Sequence, residues 1–458
     1  MVRRLRTMAV ALGQAALVVF TVLDMAWPHP QTVWLIALSA GLFMACAEST
    51  ASIGIRRTVR VLVLVTLSLL PLAPAPGAAL EQGIRIGGLI SSILLSVSLL
   101  SRAAQRVALL RQVLAALLNV HPRRRGVSIA VASQLFGGFL GFAGINMLME
   151  AAAKLPSEGL DEKRDCFRSI SRGYAAANLW SPMYSNVSIL LALSPGLAWG
   201  KVFPLALLLA VASLAVGIAL DRFRARHALA GEGRASGLGA VLWAAWPVLA
   251  GMLVFLGCAL GFSWIGHLPV AALIIVMAPL GALLLTLYME PSRRSLPEAI
   301  HQLAVDFRGF HLLAAEVRLL MASGCAGTVV AAVIPVSWTA PIAAALAPFP
   351  ILGCLFLSFS VVLLSCTSVH PMLSGIVVAS AFPATAMALS PSAHLLTVLA
   401  GLGMAVATTP FSVVSLMASR FSGLPVLTVS VRANLGYAFL SLLIVGFILG
   451  GTAGHFIR

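Results

Sequence analysis

The chain has 458 residues, of which 60% are hydrophobic and only 10% are charged. Soluble globular domains carry about 25% charged residues, so this composition excludes an ordinary soluble protein. The net charge of +16 does not predict a nucleic-acid partner, because the basic residues fall in short loops between apolar runs, as the positive-inside rule describes.

Apolar runs long enough to cross a bilayer recur along the whole chain, which predicts an all-α polytopic membrane protein with about 11 transmembrane helices. The first predicted spans are approximately 8–27, 33–52, 58–74 and 84–101. No small-residue cleavage site follows the first run, so we expect an uncleaved membrane helix rather than a signal peptide. The next segment, 102–126, has arginines around an apolar middle, which predicts a helix along the cytoplasmic surface.

A glycine-rich run and a proline break come next. Residues 127–153 contain four glycines, and the stretch 173–188 reads GYAAANLWSPMYSNVS. Proline removes a backbone hydrogen bond, and lipid cannot satisfy the freed groups. We therefore predict a broken helix at Ser181-Pro182 whose polar gap faces a binding site.

The remaining chain continues this pattern. Further spans are predicted at approximately 199–220, 237–262, 267–289 and 312–334, with a polar segment at 291–311, a proline-bounded segment at 336–350, an apolar pair at 351–386, a span near 392–418 and a last span near 433–453. We predict that the N-terminus is cytoplasmic and that the membrane is the inner membrane of a bacterial-type cell. The basic loops then lie on the cytoplasmic side only if segments 127–153 and 351–386 each cross the membrane an even number of times. Each is therefore predicted to be a re-entrant hairpin, the first entering from the cytoplasm and the second from outside.

The second half of the chain repeats the order of the first half. Pro182 and Pro410 are 228 residues apart (410 − 182 = 228). The same offset places hairpin 141–153 on 369–381, surface segment 103–120 on 331–348, and span 199–220 on 427–448. An odd number of crossings between the copies predicts an inverted repeat, and inverted repeats with broken helices at the midplane are typical of secondary transporters.

The predicted domain organisation follows this repeat. It consists of scaffold helices at 1–101, the surface helix at 102–126, a transport part at 127–220, second scaffold helices at 221–335, an outer surface segment at 336–350 and a second transport part at 351–458.

We predict that the opposed helix ends at 141–146, 181–188, 367–374 and 408–415 form one substrate and ion site. The candidate residues are Gly144, Asn146, Ser181, Pro182, Ser185, Asn186 and Ser188 in the first copy and Thr367, Ser368, His370, Ser374, Thr408, Thr409, Pro410 and Ser412 in the second. Freed carbonyls, hydroxyls and amides suit a hard cation such as sodium, and half-helix N-termini suit an anion. Glu150 is a candidate coupling residue, because an intramembrane acid is a functional candidate by default.

Each of these residues also has a structural interpretation. Serine and threonine in membrane helices often hydrogen-bond their own backbone or a neighbouring helix. His370 can be a proton carrier, a substrate ligand or a core histidine, and Glu150 can be structural. We expect no buried lysine or arginine near the tips, so helix dipoles, hydroxyls and the bound cation must meet the anion's charge.

The residues at the two breaks resemble motifs of the ion transporter superfamily. Gly173–Asn178 (GYAAAN) with Ser181-Pro182, and Met404–Phe411 (MAVATTPF), are similar to the broken-helix motifs of the divalent anion:sodium symporters, a family of dicarboxylate and citrate type. Asn146 matches the tip asparagine of the first hairpin, without its serine and threonine neighbours, and the second tip has Thr367-Ser368 but no asparagine. The resemblance implies an elevator-type architecture with a scaffold that holds a homodimer, and candidate sodium ligands at Asn146, Ser181, Thr367 and Thr409.

We therefore expect a secondary transporter of a small anion, with organic carboxylates as the favoured class, whose transport is coupled to Na+ or H+. The alternatives are an inorganic-anion or metalloid exporter on the same fold, a membrane-embedded enzyme acting on a lipid-linked substrate, and a channel or scaffold subunit. The sequence has no HExxH motif, P-loop or dinucleotide fingerprint, so we expect neither enzymatic activity nor a cofactor. The expected partners are the anion, the lipid bilayer and a second copy of the chain.

Overall fold

The computed structural model describes residues 2–47, 53–118, 122–154, 160–194, 196–225, 238–266, 269–288, 295–367 and 369–452. Every regular element within these ranges is helical, which confirms the predicted all-helical class. Among the described residues, seven helices are long and apolar enough to cross a membrane. The sequence predicted about 11 such spans; the difference arises because several apolar helices, such as Pro30–Cys46, have only 17 residues or fewer.

The first half of the chain forms nine helices within the described ranges. They are α1 (Val2–Ala26), α2 (Pro30–Cys46), α3 (Ile53–Leu69), α4 (Pro76–Arg106), α5 (Ala108–Leu118), α6 (Pro122–Ala153), α7 (Leu160–Ala177), α8 (Ser185–Ala192) and α9 (Trp199–Ala225). Helix α4 is buried along most of its length, because α1, α2, α11 and α13 pack around it.

The second half continues with helices α10 to α19. They are α10 (Leu238–Gly266), α11 (Val270–Tyr288), α12 (Leu296–Arg308), α13 (Ala314–Val333), α14 (Val336–Leu346), α15 (Pro350–Cys366), α16 (Pro371–Ala381), α17 (Pro391–Thr408), α18 (Val413–Ser422) and α19 (Ala433–Thr452). A π-helical turn, Thr428–Arg432, leads into α19. The polar segment at 291–311 contains helix α12, whose start is stabilised because Ser295 N donates to Glu298 Oε2 at 3.0 Å.

The helices of the two halves begin at equivalent positions. Helices α5 and α14 start at Ala108 and Val336, and α6 and α15 start at Pro122 and Pro350, so both pairs have the offset of 228 predicted from the prolines. Helices α8 and α18 start with the same offset. We call α6–α9 (122–225) the first unit and α15–α19 (350–452) the second unit.

The broken helices of the two units cross at equivalent residues. A Cβ atom on Gly403 of α17 would lie 2.7 Å from the carbonyl oxygen of Ala175 on α7, and these two residues are themselves equivalent. A residue that touches its own counterpart lies next to a two-fold axis. Arg172, which precedes Ala175 on α7, and Ala407, which follows Gly403 on α17, both hydrogen-bond to Asn434. The N-terminal side of the crossing on α7 therefore lies next to the C-terminal side of the crossing on α17. The two helices therefore cross antiparallel.

Candidate functional site

The predicted hairpin at 127–153 lies within α6. Gly141 has φ +56° and ψ −135°, a backbone conformation that glycine adopts without steric cost. A Cβ atom on Gly144 would lie 2.2 Å from Phe136 O, whereas residues eight apart in a continuous helix are separated by about 12 Å. The two arms of α6 therefore fold back on each other, with Gly141 at the tip.

Helices α15 and α16 form the second hairpin. They pack against each other and are joined by residues 367–370, of which Ser368 lies outside the described residues. Thr367 is exposed and donates to the carbonyl of Leu364 at 2.8 Å, at the end of its own helix. His370 takes the position before the first turn of α16, and Pro371 begins that turn.

The first break is tied to the first hairpin by Ser181. This side chain is fully buried; its Oγ donates to the carbonyl of Gly138 and accepts from Met183 N at 3.2 Å. Pro182 lies within the turn and is also buried. The break predicted at Ser181-Pro182 thus positions a hydroxyl against the first arm of the hairpin.

Two buried asparagines reinforce the first break. Asn186 Nδ2 donates to Asn178 Oδ1 at 2.9 Å, and Asn178 Nδ2 donates to Tyr174 O at 3.0 Å. Asn186 was predicted as a site residue, whereas Asn178 was not, although it closes the sequence motif GYAAAN. Ser185, also predicted, begins α8 and is half-buried.

Aromatic rings fill the space around the first break. The rings of Tyr174 and Tyr184 are 4.9 Å apart, edge to face, and that of Trp180 lies 5.5 Å from Phe139. A Cβ atom on Gly138 would lie 2.7 Å from the Trp180 ring, so the hairpin arm packs directly against this ring.

The second break repeats the bonding of the first break with threonine. Thr409 Oγ1 donates to the carbonyl of Ser365 at 2.8 Å and accepts from Phe411 N at 3.2 Å. Ser412 caps α18: its Oγ accepts from Ser415 N at 3.0 Å and donates to Val406 O at 2.6 Å.

Thr408 and Pro410 complete the predicted residues of the second break. Thr408 is fully buried and donates to Met404 O of its own helix at 2.6 Å, and Pro410 is half-buried. The hydroxyls of Thr408 and Thr409 donate to backbone carbonyls, so each threonine oxygen keeps at least one lone pair for a cation, whereas Ser412 Oγ also pairs with Ser415 Oγ at 2.9 Å.

Three polar atoms near the second tip lack partners. Within the described part of the chain, no hydrogen-bond partner reaches His370 Nδ1, Ser374 Oγ or Ser188 Oγ. Ser374 follows His370 by one turn of α16, and Ser188 lies on α8, which packs against α16. Buried polar groups are normally hydrogen-bonded, so such a group in a native structure needs an explanation, and a bound ligand is one.

Gly144, Asn146 and Glu150 lie on the return arm of α6, beyond the tip at Gly141. Because Gly144 has no side chain, the two arms can approach each other closely, and Asn146 is half-buried beyond the tip. Glu150 is 53% exposed and accepts from Lys154 Nζ at 2.7 Å. These surroundings favour the structural interpretation of Glu150 over a coupling role.

A buried arginine is linked to the second break through Asn434, whereas the sequence expectation concerned the hairpin tips. Arg172 on α7 is 1% exposed; its Nη1 donates to Asp221 Oδ1 at 2.7 Å and its Nε to Asn434 Oδ1 at 3.2 Å. Burial is tolerated because Asp221, on α9, neutralises the charge. The sequence carried one signal: Arg168 and Arg172 are four residues apart and so share one face of a helix.

No protein-family model matches the chain, and no curated protein matches it at a significant level. Among solved structures, the chain is similar to the crystal structure of the Alcanivorax borkumensis YdaH transporter, which is described as having an unusual topology. The TM-score is 0.55 at 16% sequence identity, over 87% of this chain and 98% of the transporter. At this identity the similarity establishes the fold. The chain shares the fold of this transporter, and the resemblance to divalent anion:sodium symporters remains a prediction.

Proposed function

We propose that the chain is a secondary active transporter of a small anion, with organic carboxylates as the favoured class, and that this transport is coupled to Na+ or H+. One observation carries this proposal: in each unit the hydroxyl at the equivalent position of the broken helix donates to a carbonyl of the hairpin, Ser181 to Gly138 O and Thr409 to Ser365 O. The helices broken in this way cross at equivalent residues. Paired broken helices of this kind hold substrate and ions in secondary transporters.

The second break supplies the cation ligands in this proposal. Hard cations prefer oxygen ligands from carbonyls and hydroxyls, and Thr408, Thr409 and Ser412 bring three hydroxyl oxygens to one turn of chain. Ser181 offers a fourth hydroxyl at the first break, with the amide pair Asn178 and Asn186 beside it.

The N-terminus of α16 supplies the anion site. Its first N–H groups have no partners within the helix, and the helix dipole favours negative charge there. His370, Ser374 and Ser188 add polar atoms without partners on two packed helices. Because each such interaction contributes only about 0.3–1 kcal/mol when exposed and up to about 2 kcal/mol when partly buried, several must act on the same anion.

The membrane arrangement belongs to the same proposal. The hairpins are re-entrant, the repeats are inverted, and the N-terminus is on the cytoplasmic side of the inner membrane. The antiparallel crossing of α7 and α17 supports inversion, since two equivalent helices that run in opposite directions across a bilayer must belong to oppositely oriented copies. A homodimer held by the scaffold helices and elevator-type movement of the transport parts follow from the family resemblance.

A ligand screen tests this function. Purified protein is heated with small carboxylates or inorganic anions, with sodium present or replaced by choline, at two pH values. Ligand that binds the folded state raises the apparent melting temperature. Stabilisation by a carboxylate only with sodium supports symport, and stabilisation that follows pH but not sodium supports proton coupling.

The same screen addresses the alternatives. Stabilisation by inorganic anions alone favours the exporter, whose direction of transport is then measured in proteoliposomes. If no anion stabilises the protein under any condition, the proposed function is wrong, and an enzyme for a lipid-linked substrate or a subunit of a larger complex becomes the better explanation.

A further inference from the structure

A chain of polar side chains runs from the surface into the second break. Asp165 is half exposed and lies 2.7 Å from Nη1 of Arg168, which is 4% exposed. Arg168 Nε donates to Asp221 Oδ1 at 3.0 Å, and Nη1 of Arg172 donates to the same oxygen at 2.7 Å. Arg172 Nε then donates to Asn434 Oδ1 at 3.2 Å. The chain thus links α7 and α9 of the first unit to α19 of the second unit.

Asn434, the last member, contacts the second break directly. Its Nδ2 donates to Ala407 O and to Val429 O, both at 3.1 Å. Ala407 O is one of the last carbonyls of α17, which have no partner within their own helix. Val429 belongs to the π-helical turn before α19, and such turns are frequent at functional sites.

Arg172 determines the orientation of the Asn434 amide. An arginine side chain only donates hydrogen bonds, so the amide must present its oxygen to Arg172 and its two N–H groups to the carbonyls. The reversed amide would place N–H groups against the guanidinium and oxygen against two carbonyl oxygens. A buried charge in the first unit therefore fixes the donor that holds the second break.

Folding of the repeat does not require these charges. The positions in the second unit equivalent to Arg168, Arg172 and Asp221 are Leu396, Ala400 and Leu449, all fully buried. Ala206, also buried, is the counterpart of Asn434. Because buried ion pairs rarely add net stability over apolar residues of similar size, their presence in only one unit indicates a role other than folding.

We propose that Arg172 and Asn434 are positioning residues for the second break. They hold the Ala407 carbonyl and the π-helical turn in place, so that Thr408 and Thr409 keep their oxygen atoms in a fixed arrangement. The identity of the bound ion rests on the proposed function, whereas the link between Asn434 and the break does not.

Hydrogen–deuterium exchange in lipid nanodiscs tests the link without any ligand. Asn434→Leu removes both donors to the break, and Asn434→Asp removes them while keeping an acceptor for Arg172. We expect exchange of peptides within 404–416 to become about tenfold faster in both variants, the size that loss of one buried hydrogen bond produces. Peptides within 178–190, at the first break, should exchange as in the wild type.

The matched control is Arg168→Lys. This change weakens the same network at Asp221 but does not touch Asn434, so the melting temperature should fall while exchange within 404–416 stays unchanged. Unchanged exchange within 404–416 in both Asn434 variants overturns the proposal and leaves the network a purely structural role.

Ligand binding gives the second readout. In Asn434→Leu, the sodium concentration for half-maximal anion stabilisation should rise about tenfold, and the preference for sodium over lithium should change, because ligand geometry sets which cation fits. Both quantities should be unchanged in Arg168→Lys. If the wild type binds no anion but exchange responds as expected, the proposed function fails and the positioning role stands. Faster exchange with unchanged sodium dependence also overturns the proposal.

Discussion

In the first unit, a Cβ atom on Gly173 would lie 2.1 Å from Ala130 O; in the second unit, one on Gly401 would lie 2.6 Å from Ser358 O. Both glycines and both carbonyls are 228 residues apart, so one tertiary contact between hairpin and broken helix occurs twice. The two units therefore share a backbone arrangement down to individual close contacts. What differs between them has to be sought in the side chains.

The side chains at the two breaks differ in chemical character. Trp180 and Tyr184 pack at the first break, and their counterparts at the second break are Thr408 and Ser412, which both donate to backbone carbonyls. The first break is thus packed with rings, whereas the second is lined with hydroxyls. The two copies of one backbone arrangement therefore carry side chains of different chemistry.

The first unit also differs from the second in its buried ion pairs. Removing the buried carboxylate of Asp221 should have the largest effect on stability. In Asp221→Asn, Arg168 and Arg172 lose their shared carboxylate, which leaves buried charge unpaired. We expect the free energy of unfolding to fall by about 3–5 kcal/mol, measured by denaturant unfolding in detergent. Asp165→Asn is the control: its partly exposed carboxylate also pairs with Arg168, but its loss should cost less than about 1 kcal/mol. Equal losses in the two variants would mean that Asp221 is not the essential counterion.

The shared backbone contact should respond equally in both units. Gly173→Ala and Gly401→Ala each place a methyl group against a carbonyl oxygen of another helix, which cannot move aside as a side chain can. We expect each to destabilise the protein by about 1–3 kcal/mol. Gly200→Ala and Gly436→Ala are controls, since apart from the backbone of its own helix and its chain neighbours no atom lies within 4 Å of a Cβ at either position; alanine there should stabilise the helix by up to about 1 kcal/mol. A large effect in one unit alone would contradict the equivalence of the two contacts.

Removing the hydrogen bonds that Ser181 and Thr409 donate to the hairpins distinguishes effects on stability from effects on ligand binding. Ser181→Ala and Thr409→Val each remove one buried hydrogen bond between a break and a hairpin, so each should cost about 1 kcal/mol of stability. Thr409→Val should reduce the cation dependence of anion stabilisation more than Ser181→Ala does, because Thr408 and Ser412 lie in the same turn of chain as Thr409, whereas Ser181 offers a single hydroxyl. Thermal-shift titrations of both variants measure the two effects together, and an equal loss of cation dependence would mean that the two breaks contribute equally.

The features of the fold that could be predicted from the sequence have local causes. Pro182 and Pro410 each lie between two helices, because proline removes a backbone hydrogen bond, and their spacing predicted the offset of 228 at which equivalent helices begin. The burial of Arg172 could not be predicted, because it depends on Asp221, which lies on another helix 49 residues further along the chain. The aromatic packing at the first break also depends on contacts between distant segments.

The hairpin tip shows the same limit for the candidate site. Several glycines in 127–153 could have formed the turn, and only the tertiary structure selects Gly141. Had Gly144 formed it, Asn146 would lie at the tip; with Gly141, Asn146 and Glu150 lie along the return arm. The helices are interrupted next to the two prolines, where the sequence predicted breaks, and Ser181 and Thr409 there contact the hairpins; the roles of Asn146 and Glu150 stay predictions.

Glu150→Gln should have the smallest effect, and it tests whether the first hairpin takes part in coupling. The ion pair with Lys154 is exposed and lies within one helix, so its loss should change stability by less than about 0.5 kcal/mol. The pH dependence of anion stabilisation should match that of the wild type, whereas His370→Gln, at the second tip, should alter it if protons are coupled there. Thermal-shift measurements across pH compare the two variants. Loss of pH dependence in Glu150→Gln alone would restore Glu150 as the coupling residue and move proton coupling to the unit whose break is packed with aromatic rings.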